Sequence, residues 1–342
     1  MNTVNVAIVG LGFMGVTHIK AYRKIPGCRI AAICDEYRLP VDGDLTKISG
    51  NLASSEQVKL DMTQVKAYSR FDDLLQDAHV QLIDICTPTP SHPGLVKAAL
   101  KAGKHVVCEK PMARNSQLAR EMVEAAHAAQ RFLLPAMCIR FWPEWVCAKN
   151  AIERLTYGKV LAARFRRVSE APGWSRDTYF KGDQSGGALL DLHIHDTDFV
   201  QFCFGRPQRV CSSGLSRFSG AIDYVVTQYQ VAGGAVVFAE GSWIMSEGHG
   251  FNMAYTVVFE NATLDYDLAR GQDSLKLFEN GQKPRILTLS GEDGYLGELR
   301  HMMEAIESGK PPTIVTPQDG LSAVEICEAE ERSIKTGQPV SL

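Results

Sequence analysis

Val4-Asn5-Val6-Ala7-Ile8-Val9-Gly10-Leu11-Gly12-Phe13-Met14-Gly15 decides the fold. An apolar run of strand-forming residues meets glycines at G-x-G-x-x-G spacing, and a helix-like stretch follows. Each glycine has a physical task there: a tight turn, an approach of bare main chain to a diphosphate, and close packing of helix on strand. The helix N-terminus then offers unpaired N–H groups and a positive dipole end to phosphate oxygens. Alone the spacing is weak. Here a strand precedes it, a helix follows, and Asp35 ends the next apolar run, 20 residues past Gly15. A carboxylate at that place accepts both hydroxyls of a ribose and repels a 2′-phosphate, which favours NAD. Arg38 lies three residues further on and could serve a 2′-phosphate, so NADP stays open.

Outward from this turn, residues 29–34, 82–86 and 105–108 read as further strands, and 132–139 as one more buried strand. Helix-like stretches at 93–102 and 116–130 separate the later ones, the second with Ser116 available as N-cap. Apolar strands alternating with helices make a parallel sheet covered on both faces. Residues 37–66 are too long and too polar for a simple link and read as a surface insertion. The pattern changes after about residue 145. A helix at 145–155 is followed by alternating runs at 160–169, 208–215, 224–231, 235–243, 254–260 and 262–267. Val231-Ala232-Gly233-Gly234-Ala235 and Glu260-Asn261-Ala262 are turn signals between them. Alternation buries one face of an antiparallel sheet and leaves the other for solvent or a subunit interface. Helical periodicity returns at 295–309 and 318–336. The chain thus reads as α/β, with an N-terminal α/β domain (1–142) and a C-terminal α+β domain (143–342) whose last helices can pack back on the first.

Two segments beyond the glycine turn carry chemistry. In Val106-Val107-Cys108-Glu109-Lys110-Pro111, a buried strand ends in a charged pair and a proline. Ligands of open α/β sheets bind at the carboxyl ends of strands, where Lys110 can hold a proton that a reaction releases or needs. A cis bond before Pro111 would fix the direction of Lys110. Cys86-Thr87-Pro88-Thr89-Pro90-Ser91-His92 ends the neighbouring strand, and its hydroxyls and His92 are expected to face the same crevice as Gly12, with Ser91 also a helix N-cap. The second segment is Gly186-Gly187-Ala188-Leu189-Leu190-Asp191-Leu192-His193-Ile194-His195-Asp196-Thr197-Asp198. On a helix, Asp191 and His195 share a face, and the carboxylate fixes the imidazole tautomer. Oxidising an alcohol sends a hydride from carbon and a proton from oxygen; His195, Lys110 or both could take the proton. The double glycine lets the main chain pass close to another segment or a ligand. A metal is the competing reading of His193, His195, Asp196 and Asp198. Histidines two apart point to different helix faces, and neither H-E-x-x-H spacing nor a Cys pair is present, so no metal is expected.

Composition narrows the class. The chain has 342 residues, 45% of them hydrophobic, enough for two domains with large cores. A net charge of −3 gives no footprint for nucleic acid or an anionic membrane. Neither a signal peptide nor a membrane-length apolar run is read. Nine cysteines are scattered without C-x-x-C spacing, which points to reduced thiols and a cytoplasmic protein.

Taken in order, the motifs resemble the glucose-fructose oxidoreductase / inositol dehydrogenase / rhizopine-catabolism (Gfo/Idh/MocA) family over nearly the whole chain. The matching residues are Gly10-x-Gly12-x-x-Gly15, Asp35, Thr87-Pro88-x-x-x-His92, Glu109-Lys110-Pro111, Gly187-x-Leu189-x-Asp191-x-x-x-His195 and Gly294-Tyr295…Gly309-Lys310-Pro311-Pro312. The resemblance implies a Rossmann domain followed by an α+β domain with a large, mostly antiparallel open sheet that serves a homodimer or homotetramer. Dinucleotide contacts are expected from Gly10, Gly12, Phe13, Met14, Gly15, Asp35, Thr87, Pro88, Thr89, His92, Glu109 and Lys110. The resemblance makes His195 the general base, has Lys110 assist at the substrate oxygen, and has Asp191 orient the site. Arg140, in Met137-Cys138-Ile139-Arg140-Phe141-Trp142-Pro143, takes a structural or substrate role. Trp174, with Arg176 and Tyr179 in a Gly/Pro-flanked loop, suits the apolar face of a sugar ring. The activity implied is an NAD(P)-dependent dehydrogenase of a sugar, polyol or sugar-derived acid. A glycosidase or lyase working by transient oxidation and a non-catalytic NAD-binding sensor are the alternatives on the same scaffold.

Overall fold

The computed structural model describes residues 3–40, 42–46, 48, 57–173 and 176–342. The chain divides into two compact units, residues 1–138 with 293–321, and residues 139–292 with 322–342.

The first unit starts with β1 (Val4–Val9), α1 (Phe13–Tyr22), β2 (Cys28–Cys34), β3 (Lys66–Tyr68), α2 (Phe71–Leu75) and β4 (Leu82–Ile85). It continues with α3 (His92–Lys101), β5 (His105–Glu109), α4 (Ser116–Ala129) and β6 (Leu133–Ala136). The six strands lie in the order β3-β2-β1-β4-β5-β6, all parallel. Connections reverse between β1 and β4, which opens a crevice at their carboxyl ends. Val6, Ile8, Ile83, Ile85, Val106 and Val107 are completely buried, as apolar runs covered on both faces require. The cap of α4 is Asn115 rather than Ser116: its extended backbone lets the side chain accept from Leu118 N–H at 2.9 Å, and Ser116 is the first helical residue. The stretch 37–66 is not a mere surface insertion. Part of it lies outside the described residues, but Leu45, Val58, Leu60 and Val65 are buried. The Leu45 and Leu60 amides donate to the Val58 and Gly43 carbonyls at 2.9 and 2.8 Å.

The second unit holds α5 (Pro143–Glu153), β7 (Val160–Glu170), α6 (Arg176–Tyr179), α7 (Gly182–Ser185), a π-turn at Leu189–His193 and α8 (Ile194–Phe204). Strands β8 (Arg209–Leu215), β9 (Tyr224–Gln230), β10 (Val236–Met245), β11 (Phe251–Phe259), β12 (Ala262–Asp267), β13 (Leu275–Glu279) and β14 (Arg285–Ile286) follow. After them come α9 (Gly294–Ser308), α10 (Pro317–Thr336) and β15 (Val340–Ser341). The nine-stranded sheet runs β14-β13-β12-β11-β7-β10-β9-β8-β15. Its pairings are antiparallel except for β7 beside β10, which is parallel. One face is covered by Trp145, Phe165, Phe199, Tyr255 and Tyr266, a buried aromatic cluster with rings edge-on or stacked. The opposite face carries exposed Val236, Phe238 and Phe278. Helix α9 returns to the first unit and packs on α1. No helix among the described residues is long and apolar enough to cross a membrane.

Candidate active site

The glycine turn has the shape that a dinucleotide diphosphate needs. Gly10 has φ +91°, and a Cβ on it would lie 2.9 Å from the Cys86 carbonyl oxygen. A Cβ on Gly15 would lie 2.0 Å from the Gly10 carbonyl oxygen, so only glycine lets α1 approach β1. Gly12 differs: a Cβ there would have only the Arg38 guanidinium within reach, at 3.9 Å. The space above Gly12 is open, and α1 begins with no side-chain cap and no acidic residue in its first turn. The positive end of the α1 dipole suits anionic oxygens, and half-buried Phe13 and Met14 form its first turn. Asp35 closes the turn from β2. Its Oδ2 accepts the Leu11 N–H at 2.7 Å, and its Oδ1 accepts the Tyr37 and Arg38 N–H groups at 2.9 and 2.8 Å. The residues present therefore fit NAD.

Beside this turn, the Thr87 hydroxyl is tied to Ser91 Oγ at 2.7 Å, Thr89 starts a short 3-10 turn, and Pro88 is exposed. His92 does not face the crevice as the sequence suggested. It is buried, with Nδ1 2.9 Å from the Pro111 carbonyl oxygen and Nε2 2.7 Å from that of Thr87. Burial holds its pKa below the ordinary histidine value, against the pull of those carbonyls. Between the two loops, Lys110 leaves the end of β5 half-buried, and the Lys110–Pro111 bond is cis.

Beneath Lys110 lies a polar cluster that the sequence reading missed. His18 of α1 is fully buried, with Nδ1 2.8 Å from Asp84 Oδ2 of β4 and Nε2 3.2 Å from Glu109 Oε1. Glu109 Oε2 accepts the Lys110 N–H at 3.0 Å. Glu298 of α9, also fully buried, brings its Oε1 to 3.8 Å from His18 Nε2. Burial opposes charge on His18, but Asp84 overcomes it and the pKa stands well above the ordinary value. Burial alone would raise Glu109; the hydrogen bond and charge of His18 bring it below the usual carboxylate range. Burial pushes the Glu298 pKa well above the ordinary carboxylate value. His18, Asp84 and Cys86 bring three ligand-type atoms together. The imidazole is already hydrogen-bonded to Asp84, and burial pushes the Cys86 thiol far up, so the geometry is that of an ion pair rather than a metal cage. One signal was available in the sequence: an aspartate inside Leu82-Ile83-Asp84-Ile85 must find a partner when the strand is buried on both faces.

In the second unit, Asp191 and His195 do not share a regular α-helix. Asp191 lies in the π-turn, half-buried, and His195 in the first turn of α8, with 9% of its surface exposed. The cause is the entry. Gly187 has φ +70°, and a Cβ on it would lie 2.4 Å from the Ile222 carbonyl oxygen, which also accepts the Leu189 N–H at 3.2 Å. The double glycine thus admits another chain segment at the start of the π-turn, a feature frequent at functional sites. The polar neighbours of His195 are committed elsewhere. His193 Nε2 lies 3.1 Å from the Tyr229 hydroxyl and 3.4 Å from Glu330 Oε2. Asp196 pairs with Arg167 at 3.0 Å. Asp198 takes Arg140 in a two-point grip, Nε to Oδ2 at 2.8 Å and Nη2 to Oδ1 at 2.7 Å. Arg140 is buried, with its guanidinium 4.5 Å from the Phe202 ring centroid. Trp174 lies outside the described residues; Tyr179 meets Trp243 edge-on at 5.9 Å between ring centroids.

Comparison with known proteins agrees with this architecture. Residues 4–136 match the oxidoreductase family model with NAD-binding Rossmann fold, and residues 145–265 match the GFO/IDH/MocA C-terminal domain. Myo-inositol 2-dehydrogenase of Thermotoga maritima is 27% identical over 352 residues, 99% of this chain and 98% of its own. Trans-1,2-dihydrobenzene-1,2-diol dehydrogenase of Macaca fascicularis is 33% identical over 176 residues, 49% of this chain and 50% of its own. Levoglucosan dehydrogenase in complex with NADH and L-sorbose has the same fold, with a TM-score of 0.85 over 100% of this chain and 99% of that one, at 21% identity. With a diphosphate-binding turn in the first unit, an Asp191–His195 segment in the second and both domain models matched in order, the chain is a member of the GFO/IDH/MocA oxidoreductase family, with an NAD-binding Rossmann fold.

Proposed function

We propose that this chain is an NAD-dependent dehydrogenase that oxidises a secondary hydroxyl of a sugar, polyol or sugar-derived acid, or reduces the corresponding ketone. The observation that carries the reading is Lys110, half-buried at the end of β5 beside the open Gly12 turn, with its flanking residues Glu109 and Pro111 both held by buried partners. The chemistry supplied by NAD when bound is acceptance of a hydride from the carbinol carbon. The chain's own task is the proton. Lys110 polarises the substrate oxygen, His195 takes its proton as base, and Asp191 orients the site. Phe13, Met14, Thr87, Pro88, Thr89 and Glu109 shape the dinucleotide crevice. Relatives named for inositol, dihydrodiol and levoglucosan oxidation support the substrate class. All nine cysteines are free thiols, which supports a reducing compartment. The exposed apolar residues of the second sheet support a homo-oligomer.

The test is a panel of sugars and polyols with NAD and with NADP, read at the nicotinamide absorbance band. NADH formation with one of them is expected, and a strong preference for NADP would overturn the role given to Asp35. With that substrate, Lys110→Ala and His195→Ala should each lose turnover by ~10²-fold or more while the protein still binds NAD. Wild-type turnover in either variant would remove that residue from the mechanism.

A further inference from the structure

Two imidazoles with no part in the proposed chemistry grip the residues on either side of Lys110. Before it, Glu109 is held from below by His18, whose other nitrogen is anchored on Asp84. The free oxygen of the same carboxylate takes the Lys110 N–H at 3.0 Å. After it, His92 stands between the Pro111 and Thr87 carbonyls, Nδ1 2.9 Å from the first and Nε2 2.7 Å from the second, and as a neutral imidazole it donates to one of them at a time. The next residue is pinned as well: Met112 is fully buried, and a Cβ on Gly320 would lie 2.4 Å from its sulfur.

Stability alone is a poor reason for this construction. Taking ions out of water costs several kcal/mol each, and apolar residues of similar volume in such places are often neutral or better. His18, Asp84, Glu109 and Glu298 nevertheless meet inside the first unit, from α1, β4, β5 and α9. What the cluster adds is direction. The imidazole is fixed by its hydrogen bond to Asp84, and its Nε2 stands 3.2 Å from Glu109 Oε1 as an ion pair outside hydrogen-bond geometry, so the attraction depends on where both partners are held. Glu109 transmits that fixed geometry to the Lys110 main chain. His92 packs between the other end of the same short segment and the loop that carries Thr87.

We propose that His18, acting through Glu109, and His92, acting through Pro111, are positioning residues that aim the Lys110 amine. The proposal rests on the reading of Lys110 as a proton-handling group. It also links α1, the helix that binds the diphosphate, to the strand end that carries the lysine.

The experiment measures Lys110 itself. The folded protein is acylated with acetic anhydride over a pH series, and the modification of Lys110 is followed by mass spectrometry with exposed Lys101 as internal control. The variants are His18→Gln, Glu109→Gln, both together, and His92→Gln. Each single variant is expected to change the Lys110 reaction rate at least about threefold while Lys101 holds, with the double variant no further displaced than the larger single one, as residues acting in series require. With the substrate found in the panel, turnover of His18→Gln and of His92→Gln should fall roughly tenfold or more while KM for NAD stays within about threefold, the signature of misplacement rather than lost binding. Unchanged Lys110 reactivity in folded variants overturns the proposal, as do losses from His18→Gln and Glu109→Gln that multiply. If His18→Gln does not fold, Glu109→Gln and His92→Gln carry the test. Lys110→Ala separates the two readings: full turnover in that variant ends the proton role, while the acylation rates still judge the clamp.

Discussion

Glu298 stands in a place where a carboxylate is costly. It is fully buried on α9, facing a histidine already engaged with Asp84 and Glu109. Burial raises its pKa well above the ordinary value, more than His18 can lower it. A raised folded-state pKa contributes stability that is fully present below the unfolded value and is lost as pH rises. Above the ordinary carboxylate range, folding must therefore carry a proton onto Glu298. Glu298→Gln copies the neutral acid without that demand. Its melting temperature should match wild type near about pH 4 and exceed it by roughly 2 °C or more at neutral pH. A thermal-melt series against pH checks this, and a variant less stable by the same amount at every pH would mean that Glu298 is held by contacts rather than by its proton. The cluster around it also marks where reading the sequence stopped. Lys110, Asp191 and His195 sit in short local motifs, which a linear reading can find. His18, Asp84, Glu109 and Glu298 gain meaning only from meeting in space. Arg140 was legible as important, but its partner Asp198 is 58 residues away, so the two-point grip was not.

At the scale of elements, the loop 217–222 is folded around a single side chain. Asp223 accepts the main-chain N–H groups of Arg217, Phe218 and Ser219 at 2.7, 2.5 and 3.1 Å. It also accepts the Ser219 hydroxyl at 2.5 Å and the Trp243 indole N–H at 2.7 Å. Burial works against the carboxylate, but these donors outweigh it and hold its pKa below the usual range. A lowered pKa contributes stability above the unfolded value that is lost as pH falls through the folded one, so this loop is acid-sensitive. The loop's last residue supplies the Ile222 carbonyl that meets Gly187 and Leu189 at the entry to the π-turn. Asp223→Ala leaves five donors without their acceptor and should cost on the order of 3 kcal/mol or more in urea unfolding. It should also lower turnover through the loosened Asp191–His195 segment. A loss below about 1 kcal/mol would show that water replaces the carboxylate without consequence. The same element explains what the sequence could not convey. Strand β1 and strand β12 were legible to the residue because apolar runs and alternation are local. The π-turn was not, because its entry is set by the Ile222 carbonyl, which lies 33 residues away in sequence from Leu189. The short strands β13 to β15, two of them at the edges of the sheet, are defined by their neighbours rather than by their own pattern.

At the scale of the molecule, chain order and spatial grouping part company after Glu292. Helical periodicity located α9, but its place in the first unit depends on packing against α1, almost 300 residues earlier in construction of the core. The second unit leaves a different question open to measurement. Strand register places Val236 beside Ala162, Ala162 beside Val258, Val258 beside Thr263, and Thr263 beside Phe278. All five point away from the aromatic core and form one row across five strands, with Val236 46% and Phe278 40% exposed. Phe238, in the next row, stands between Arg164 and Gln228. Interior strands paired on both sides normally leave polar residues on a solvated face, so an apolar row there points to cover by another surface. A second copy presenting the same row would satisfy it by two-fold symmetry, since such an interface is self-complementary. Val236→Asp with Phe278→Asp would place like charges and unpaired carboxylates against each other across such an interface, while leaving the buried face of the sheet untouched. In light scattering coupled to size-exclusion chromatography, the wild-type protein should have the mass of a dimer or tetramer, and the double variant should dissociate to smaller species with its circular dichroism preserved. A wild-type protein that stays monomeric at high concentration, or a variant whose mass does not change, would leave this face to solvent and return the question of oligomeric state to other surfaces.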